Sequence, residues 1–506
     1  MSFVYNNLAA LYVAIVVSTL VWLFGGVRAD VLADVAPWLL LFLAQAILIF
    51  PQKHTSETTY EARERVWSAL KKDPLVWTAL GLIALLAIPF VNNGLCVNCD
   101  WQLVAQGVDP EPPVKFLPFC VNRADHYNVF LWFALALSCL VVTRHALVRR
   151  GKRLLLNLVV WNGFVLALVA FLQVATDAIG PLWQPLRHAG HGTSTFFATF
   201  GYTNMAGDYF VFLFGMAIAL WRDHNIEQDR QQKSSQAPSE QNRHRLFWKR
   251  HLALVPAGVF YFAAISTLSR SAIILANVIL IIGFVHSLVD ITKHMHRKDK
   301  VKKGTVAVAV LGLLAFFAVV SMPNDVQKEL DTLDTDGVLS RVTGKGEYHG
   351  RVATQLWRDH MLFGCGGWGY KHFCTSKMTP EELKHLQRTG GVNVHNDYLQ
   401  FLVEHGFIGF VLITALVVLL LAPLGRAWRR LVRAARFADK KSAPAKPVQI
   451  FALPAPAFLL LLPLLATFIH GFGDCPLRSP AVLTLFFITL ASLPGFLPKE
   501  QDNAAR

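Results

Sequence analysis

His395 and Asn396 stand in "VNVHNDYLQFLVEHGFIG", a polar segment that runs without a break into an apolar stretch of membrane length. An imidazole, with an ordinary pKa near 6.5, is poised to take a proton from a hydroxyl at neutral pH. Guanidinium groups do complementary work, because their planar forks match phosphate oxygens two at a time. Arg270 in "STLSRSAIILA" and Arg351 in "YHGRVATQLWRDHML" are placed for it, the first between two apolar runs and the second in a long polar loop that His395 closes. His470, Asp474 and Arg478 share the short segment "HGFGDCPLRSP", while Asn204 and Asp208 open another apolar run in "GYTNMAGDYF". An arginine at the centre of a membrane helix costs about 2.5 to 3.5 kcal/mol on insertion scales, so ionisable residues kept beside apolar runs are candidates for function.

Each residue also has a plainer reading. A lone arginine at a membrane interface anchors or snorkels. Asn396 is a good helix N-cap. Asp474 and Arg478, four apart, would pair along a helical turn. "CVNC", holding Cys96 and Cys99, lacks nearby the further two ligands that structural zinc takes.

The elements that must position these residues are membrane spans. Of 506 residues, 54% are hydrophobic and only 16% charged, too few charges for a soluble globular protein. Apolar runs near the ~20 residues that cross a bilayer occur at 8–24, 31–50, 75–90, 128–148, 154–176, 201–221, 251–268, 271–290, 304–322, 396–421, 451–468 and 480–497. The expected fold is therefore all-α, a polytopic transmembrane helical bundle of about 12 spans. The first run lacks the basic start and cleavage site of a signal peptide and reads as a retained span.

A net charge of +15 suggests nucleic acid at first sight, but the placement of the charges excludes that partner. With the N-terminus inside, 33 Lys and Arg fall on inner segments and 6 on short outer ones, a strong positive-inside bias. Both termini are then cytoplasmic, and the basic surface meets anionic membrane lipids. Six of the seven cysteines, all but Cys139, fall on outer segments, where disulfides can form; Cys96 with Cys99 and Cys365 with Cys374 are the local options.

The chain divides into N-terminal spans over 1–200 with an outer loop at 91–127, central spans over 201–322 with a polar linker at 222–250, a loop at 323–395, and C-terminal spans over 396–506. The loop is patterned rather than formless. "YHGRVATQLWRDHML" puts Val352 and Leu356 on one helical face and Arg351 on another. "TPEELKHLQR" opens with Thr379 as N-cap, Pro380 at the first helical position and Glu382 completing a capping box. Between them the glycines of "LFGCGGWGY" permit close backbone approach.

In this order the motifs resemble the O-antigen ligase and polymerase superfamily of membrane glycosyltransferases. The resemblance runs from about residue 200 to 490 through "GYTNMAGDY", "TLSRSA", "GRVATQLWRDHMLFGCGGWGY", "VHNDYLQFLVEHGFIG" and "HGFGDCPLRSP". The His-Asn segment with its following Gly-x-x-Gly is the most specific part. "LFGCGGWGY" departs from the family's usual His-Pro before the glycines, and the helix-forming insertion 373–392 is a second departure.

The resemblance implies a GT-C-like bundle with a partly helical periplasmic loop, in a bacterial inner (cytoplasmic) membrane. It implies metal-independent and cofactor-free transfer of a glycan from undecaprenyl pyrophosphate to an acceptor hydroxyl at the periplasmic face. Lipid A core is the first acceptor; a growing glycan or a protein hydroxyl would serve a polymerase or an O-oligosaccharyltransferase. In that scheme His395 is the catalytic base and Arg270 and Arg351 bind the donor pyrophosphate. Asn396, Asp397, Asn204, His470, Asp474 and Arg478 support them.

A transporter, the competing class, would carry charges in mid-span and paired broken helices in two similar halves; here the telling polar residues gather at one face and the halves differ. Cysteines introduced into 222–245 should resist labelling by a membrane-impermeant maleimide in intact spheroplasts and react after lysis. Labelling before lysis would invert the topology.

Overall fold

The computed structural model describes residues 2–92, 114, 116–184, 196–234, 254–293, 348–389, 393–439 and 453–497. Among these residues the regular structure is helical. In chain order the helices are α1 (Ser2–Trp22), α2 (Ala29–Leu48), α3 (Thr59–Lys72), α4 (Pro74–Ala87), α5 (Arg123–Val141), α6 (Arg149–Ala175), α7 (Thr203–Ser234), α8 (Leu254–Ser266) and α9 (Arg270–Lys293). They continue as α10 (Tyr348–Asp359), α11 (Gly369–Phe373), α12 (Pro380–Thr389), α13 (Asp397–Asp439), α14 (Ala455–His470) and α15 (Pro480–Ser492).

Eleven of the twelve apolar runs coincide with helices; the run 304–322 lies outside the described residues, as do Cys96 and Cys99. Five helical stretches are long and apolar enough by themselves to cross a membrane: Val31–Leu48, Arg123–Ala146, Arg149–Ala175, Thr203–Gln228 and Asp397–Arg433. α3 and α4 form a pair bent by 66° at Asp73, whose carboxylate caps α4 through the Leu75 N–H at 3.0 Å. α1, α8, α9, α14 and α15 are shorter apolar helices. A helical multi-pass membrane protein is thus the class of molecule the fold defines.

α7 is the hub, packed against α6, α8, α9 and α14. Small residues let these neighbours come close, as between membrane helices generally. A side chain at Gly215 would meet Pro463 of α14, and one at Gly207 would meet Ala272, Thr267 and Ser269 of the α8–α9 hairpin. That second contact carries Arg270, the first residue of α9, to the end of the bundle where α7 begins.

The long helix α13 is broken at Gly406, where φ is +64°. A break inside an apolar bundle strands backbone groups that water cannot satisfy. The glycine-rich turn before α11 supplies the partners. Cys365 and Gly366 N–H donate to Val403 and Glu404 carbonyls at 3.0 and 2.8 Å, and Phe407 and Ile408 N–H donate to Met361 and Leu362 carbonyls at 2.8 and 3.1 Å. His126 of α5 seals the outer side: the Gly367 N–H donates to its Nδ1 at 2.8 Å, so its Nε2–H donates to the Leu86 carbonyl, also at 2.8 Å.

Both expected loop helices are present as α10 and α12, and the capping box closes, with the Thr379 N–H on Glu382 Oε2 at 2.7 Å and the Glu382 N–H on Thr379 Oγ1 at 3.3 Å. The Cys365–Cys374 disulfide does not form; both are buried free thiols. Each S–H instead donates to a backbone carbonyl, of Val403 and of Lys371 respectively.

Gly364 has φ of +70°, and an added Cβ would collide with the backbone of Glu404 and His405. Gly364→Ala should therefore cost on the order of 2 kcal/mol or more, read as a large drop in apparent melting temperature of the purified protein. Gly201→Ala, whose methyl would meet nothing within 4 Å, is the control expected to melt like the wild type.

Candidate active site

Four chain segments meet at one end of the bundle: the start of α7, the α10–α11 region, the residues leading into α13, and the turn between α14 and α15. Asp474, in that turn and only 4% exposed, gathers hydrogen bonds from the start of α7, from the approach to α13 and from its own turn. His395 Nδ1 lies 3.3 Å from its Oδ1, and the Cys475 N–H donates to the same oxygen at 2.8 Å. Oδ2 accepts from Tyr202 Oη at 2.9 Å and from the Asn204 side-chain amide in a short bond. Burial alone would raise the Asp474 pKa, but the His395 hydrogen bond, the charge of His470 and the Asn204 amide hold the carboxyl well below the usual carboxylate range. Asp474 is therefore an anion at neutral pH, and an imidazole bonded to it through Nδ1 turns Nε2 to other work.

The turn is stapled to α13. Asn396 is the N-cap, accepting the Leu399 N–H at 3.0 Å while its own amide donates to the Phe472 carbonyl at 3.1 Å. The Asp397 N–H donates to the Gly471 and Asp474 carbonyls at 2.8 and 3.2 Å, and its Oδ2 accepts the Leu477 N–H at 2.9 Å. Beneath lies a buried group in which His470 Nδ1 and Thr467 Oγ1 reach the two oxygens of Asp208 at 3.0 and 2.7 Å. His395 itself takes a left-handed backbone conformation, φ 53°.

Arg478 does not pair with Asp474. Pro476–Arg478 is a 3-10 turn rather than α-helix, so the four-residue spacing brings no contact. Its Nη1 donates to Glu404 Oε2 at 3.0 Å and its guanidinium lies 3.9 Å from the centre of the Trp368 ring. Arg478 Nε and Nη2 are buried without a hydrogen-bond partner. They stand at the head of an apolar cavity of about 600 Å³ between α5, α13, α14 and α15, lined by residues such as Phe401, Val417, Leu461, Phe468 and Phe487, with Asp397 and Glu404 at the same polar end.

His349 rather than Arg351 faces His395, with ring centroids 6.2 Å apart. Its Nδ1 is 2.7 Å from Tyr370 Oη. Burial, and then the neighbouring His395, lower the His349 pKa to about 4, so it is neutral at pH 7. Spacing held the clue: 349, 352 and 356 share one face of α10, and all three are buried. Arg351 lies on the other face, 42% exposed and ion-paired with Glu382 at 2.6 Å. Arg270 opens α9 beside α7; the ionisable residues that precede α7 in the chain, Arg187, His188 and His191, lie outside the described residues. Tyr202, Glu404 and Trp368 lie within the quoted motifs, but the sequence reading does not single them out.

Among the described residues the one grouping spaced to hold a metal ion is His395, Asp474 and Cys475, whose ligand atoms lie within 4.8 Å of one another. Burial, and then the Asp474 charge, push the Cys475 thiol well above its usual range. With the thiol protonated and donating to Asp474 Oδ1 at 3.4 Å, the trio is satisfied as a hydrogen-bonded cluster.

His395 is thus backed by a carboxylate at 3.3 Å, with the buried guanidinium of Arg478 and an apolar cavity in the same end of the bundle. Residues 252–414 match the family model described as O-Antigen ligase, which supports the O-antigen ligase superfamily and a function of the O-antigen ligase or polymerase kind. The matched stretch holds Arg270, Arg351, His395, Asn396, Asp397 and Glu404; Asn204, His470, Asp474 and Arg478 lie outside it. No curated protein matches the chain.

Asp474→Asn should leave the protein folded but lower glycan transfer about a hundredfold or more, since the imidazole loses its anionic partner. Turnover by the purified variant, beside its melting temperature, measures this. A well-folded variant at wild-type rate would remove Asp474 from the site.

Proposed function

We propose that the protein transfers a glycan from undecaprenyl pyrophosphate to an acceptor hydroxyl, with lipid A core as the acceptor, at the periplasmic face of the bacterial inner membrane. The observation that carries this reading is the His395–Asp474 pair at 3.3 Å beside the polar end of the apolar cavity. His395 Nε2 takes the proton of the acceptor hydroxyl as its oxygen attacks the anomeric carbon. The bond from that carbon to the pyrophosphate oxygen breaks, and undecaprenyl pyrophosphate leaves with the electron pair. Asp474 stabilises the imidazolium that results, and Arg270 and Arg351 bind the charge growing on the leaving group. In this proposal guanidinium groups, rather than a metal ion, offset the charge of the leaving group.

The cavity suits the donor's other half. A polyprenyl chain stays in hydrocarbon while its pyrophosphate sits at the interface, and the apolar wall beneath Arg478 offers such a path. The orientation, with both termini cytoplasmic, rests on the 33 to 6 distribution of Lys and Arg.

His395→Ala and Arg270→Ala, expressed in cells lacking the enzyme, should abolish or severely reduce the glycan ladder on gels. Normal ladders from folded, membrane-inserted variants would sink the catalytic assignment. Purified protein given lipid-linked glycan and lipid A core should label the core; longer lipid-linked chains alone would make it a polymerase.

A further inference from the structure

We propose that Glu382 is a residue of the donor site, a carboxylate that occupies Arg351 until the donor's pyrophosphate displaces it. The proposal rests on the reading of Arg351 as a donor-binding residue. Arg351 Nη2 lies 2.6 Å from Glu382 Oε2, and its Nη1 donates to Gln355 Oε1 at 3.1 Å and to the Lys377 carbonyl at 3.4 Å. The guanidinium is thereby drawn across the exposed face of α10 toward the insertion that carries α12. A carboxylate and a phosphate present the same acceptor geometry to a guanidinium fork, so Glu382 fills the acceptor place on Arg351 that a phosphate oxygen would take.

Glu382 is fixed there by its own helix. The oxygen that meets Arg351 also accepts the Thr379 N–H at 2.7 Å in the capping box. The anion therefore stays at the start of α12 whether or not Arg351 is present, and the arginine is the mobile partner. Side chains 42% and 20% exposed make a pair that solvent screens. A doubly charged pyrophosphate outcompetes a single carboxylate on such terms. Lys377 and Asp359, 2.9 Å apart and 39% and 47% exposed, form a second strap of the same kind between α10 and this segment. Glu382 thus sets the affinity for the donor: it lowers it by competition, and substrates with less charge than a pyrophosphate gain less from displacing it.

Glu382→Gln tests this without melting α12, because glutamine also completes a capping box. The probe is undecaprenyl pyrophosphate binding to the purified full-length protein in nanodiscs. Glu382→Gln should tighten binding about fivefold. Arg351→Ala should weaken it about tenfold or more, and Glu382→Gln added to Arg351→Ala should change nothing further. If Arg351→Ala weakens binding while Glu382→Gln leaves it unchanged or weaker, Glu382 merely orients the arginine; competition is then wrong and the donor clamp survives. A tightening that persists in the double variant is a general charge effect and equally overturns competition. Wild-type affinity in Arg351→Ala would end both the clamp and the competition.

Discussion

The break in α13 at Gly406 governs the rest of the architecture. A membrane helix can be interrupted only where protein satisfies the freed backbone groups, and here the turn at 361–366 does so with four hydrogen bonds. The exchange welds the extramembrane helices α10 to α12 to the bundle. It also turns the first segment of α13 away from the line of the second, so that His395 at its start meets Asp474 while the apolar remainder lines a cavity.

Asp474 plays the corresponding part for the polar groups. A buried carboxylate is expensive unless paired and hydrogen-bonded, and this one is met by groups from the start of α7, the approach to α13 and its own turn. The same satisfaction that makes it tolerable leaves it ionised. A charge that must be stabilised for the fold to stand is then available to the imidazole of His395 beside it. Arg478 and Glu404 repeat the pattern one layer on, with Trp368 beneath the guanidinium.

Much of this was legible in the sequence because the bilayer enforces it. The apolar runs other than 304–322, the capping box at Thr379 and the cap at Asn396 are local signals with local causes, and each appears in the structure as a helix or a helix cap. The site's membership was legible only in part. His395 and Asp474 could both be named, yet 79 residues separate them and no local rule joins them. Arg478 was named with the wrong partner, because a proline-bearing 3-10 turn does not obey helical spacing. His349 could have been found from the buried face of α10, whereas Tyr202 and Glu404 acquire their roles only from the packing of helices distant in the chain.

The left-handed conformation of His395, φ 53°, bears on how the site could change over time. Such a backbone costs an L residue of order 1 kcal/mol, which glycine avoids and asparagine tolerates better than most. Folding alone would therefore let this position drift toward glycine or asparagine, and β-branched residues are closed to it. The local backbone does not call for an imidazole here; the neighbour that does engage one is the carboxylate of Asp474 behind it.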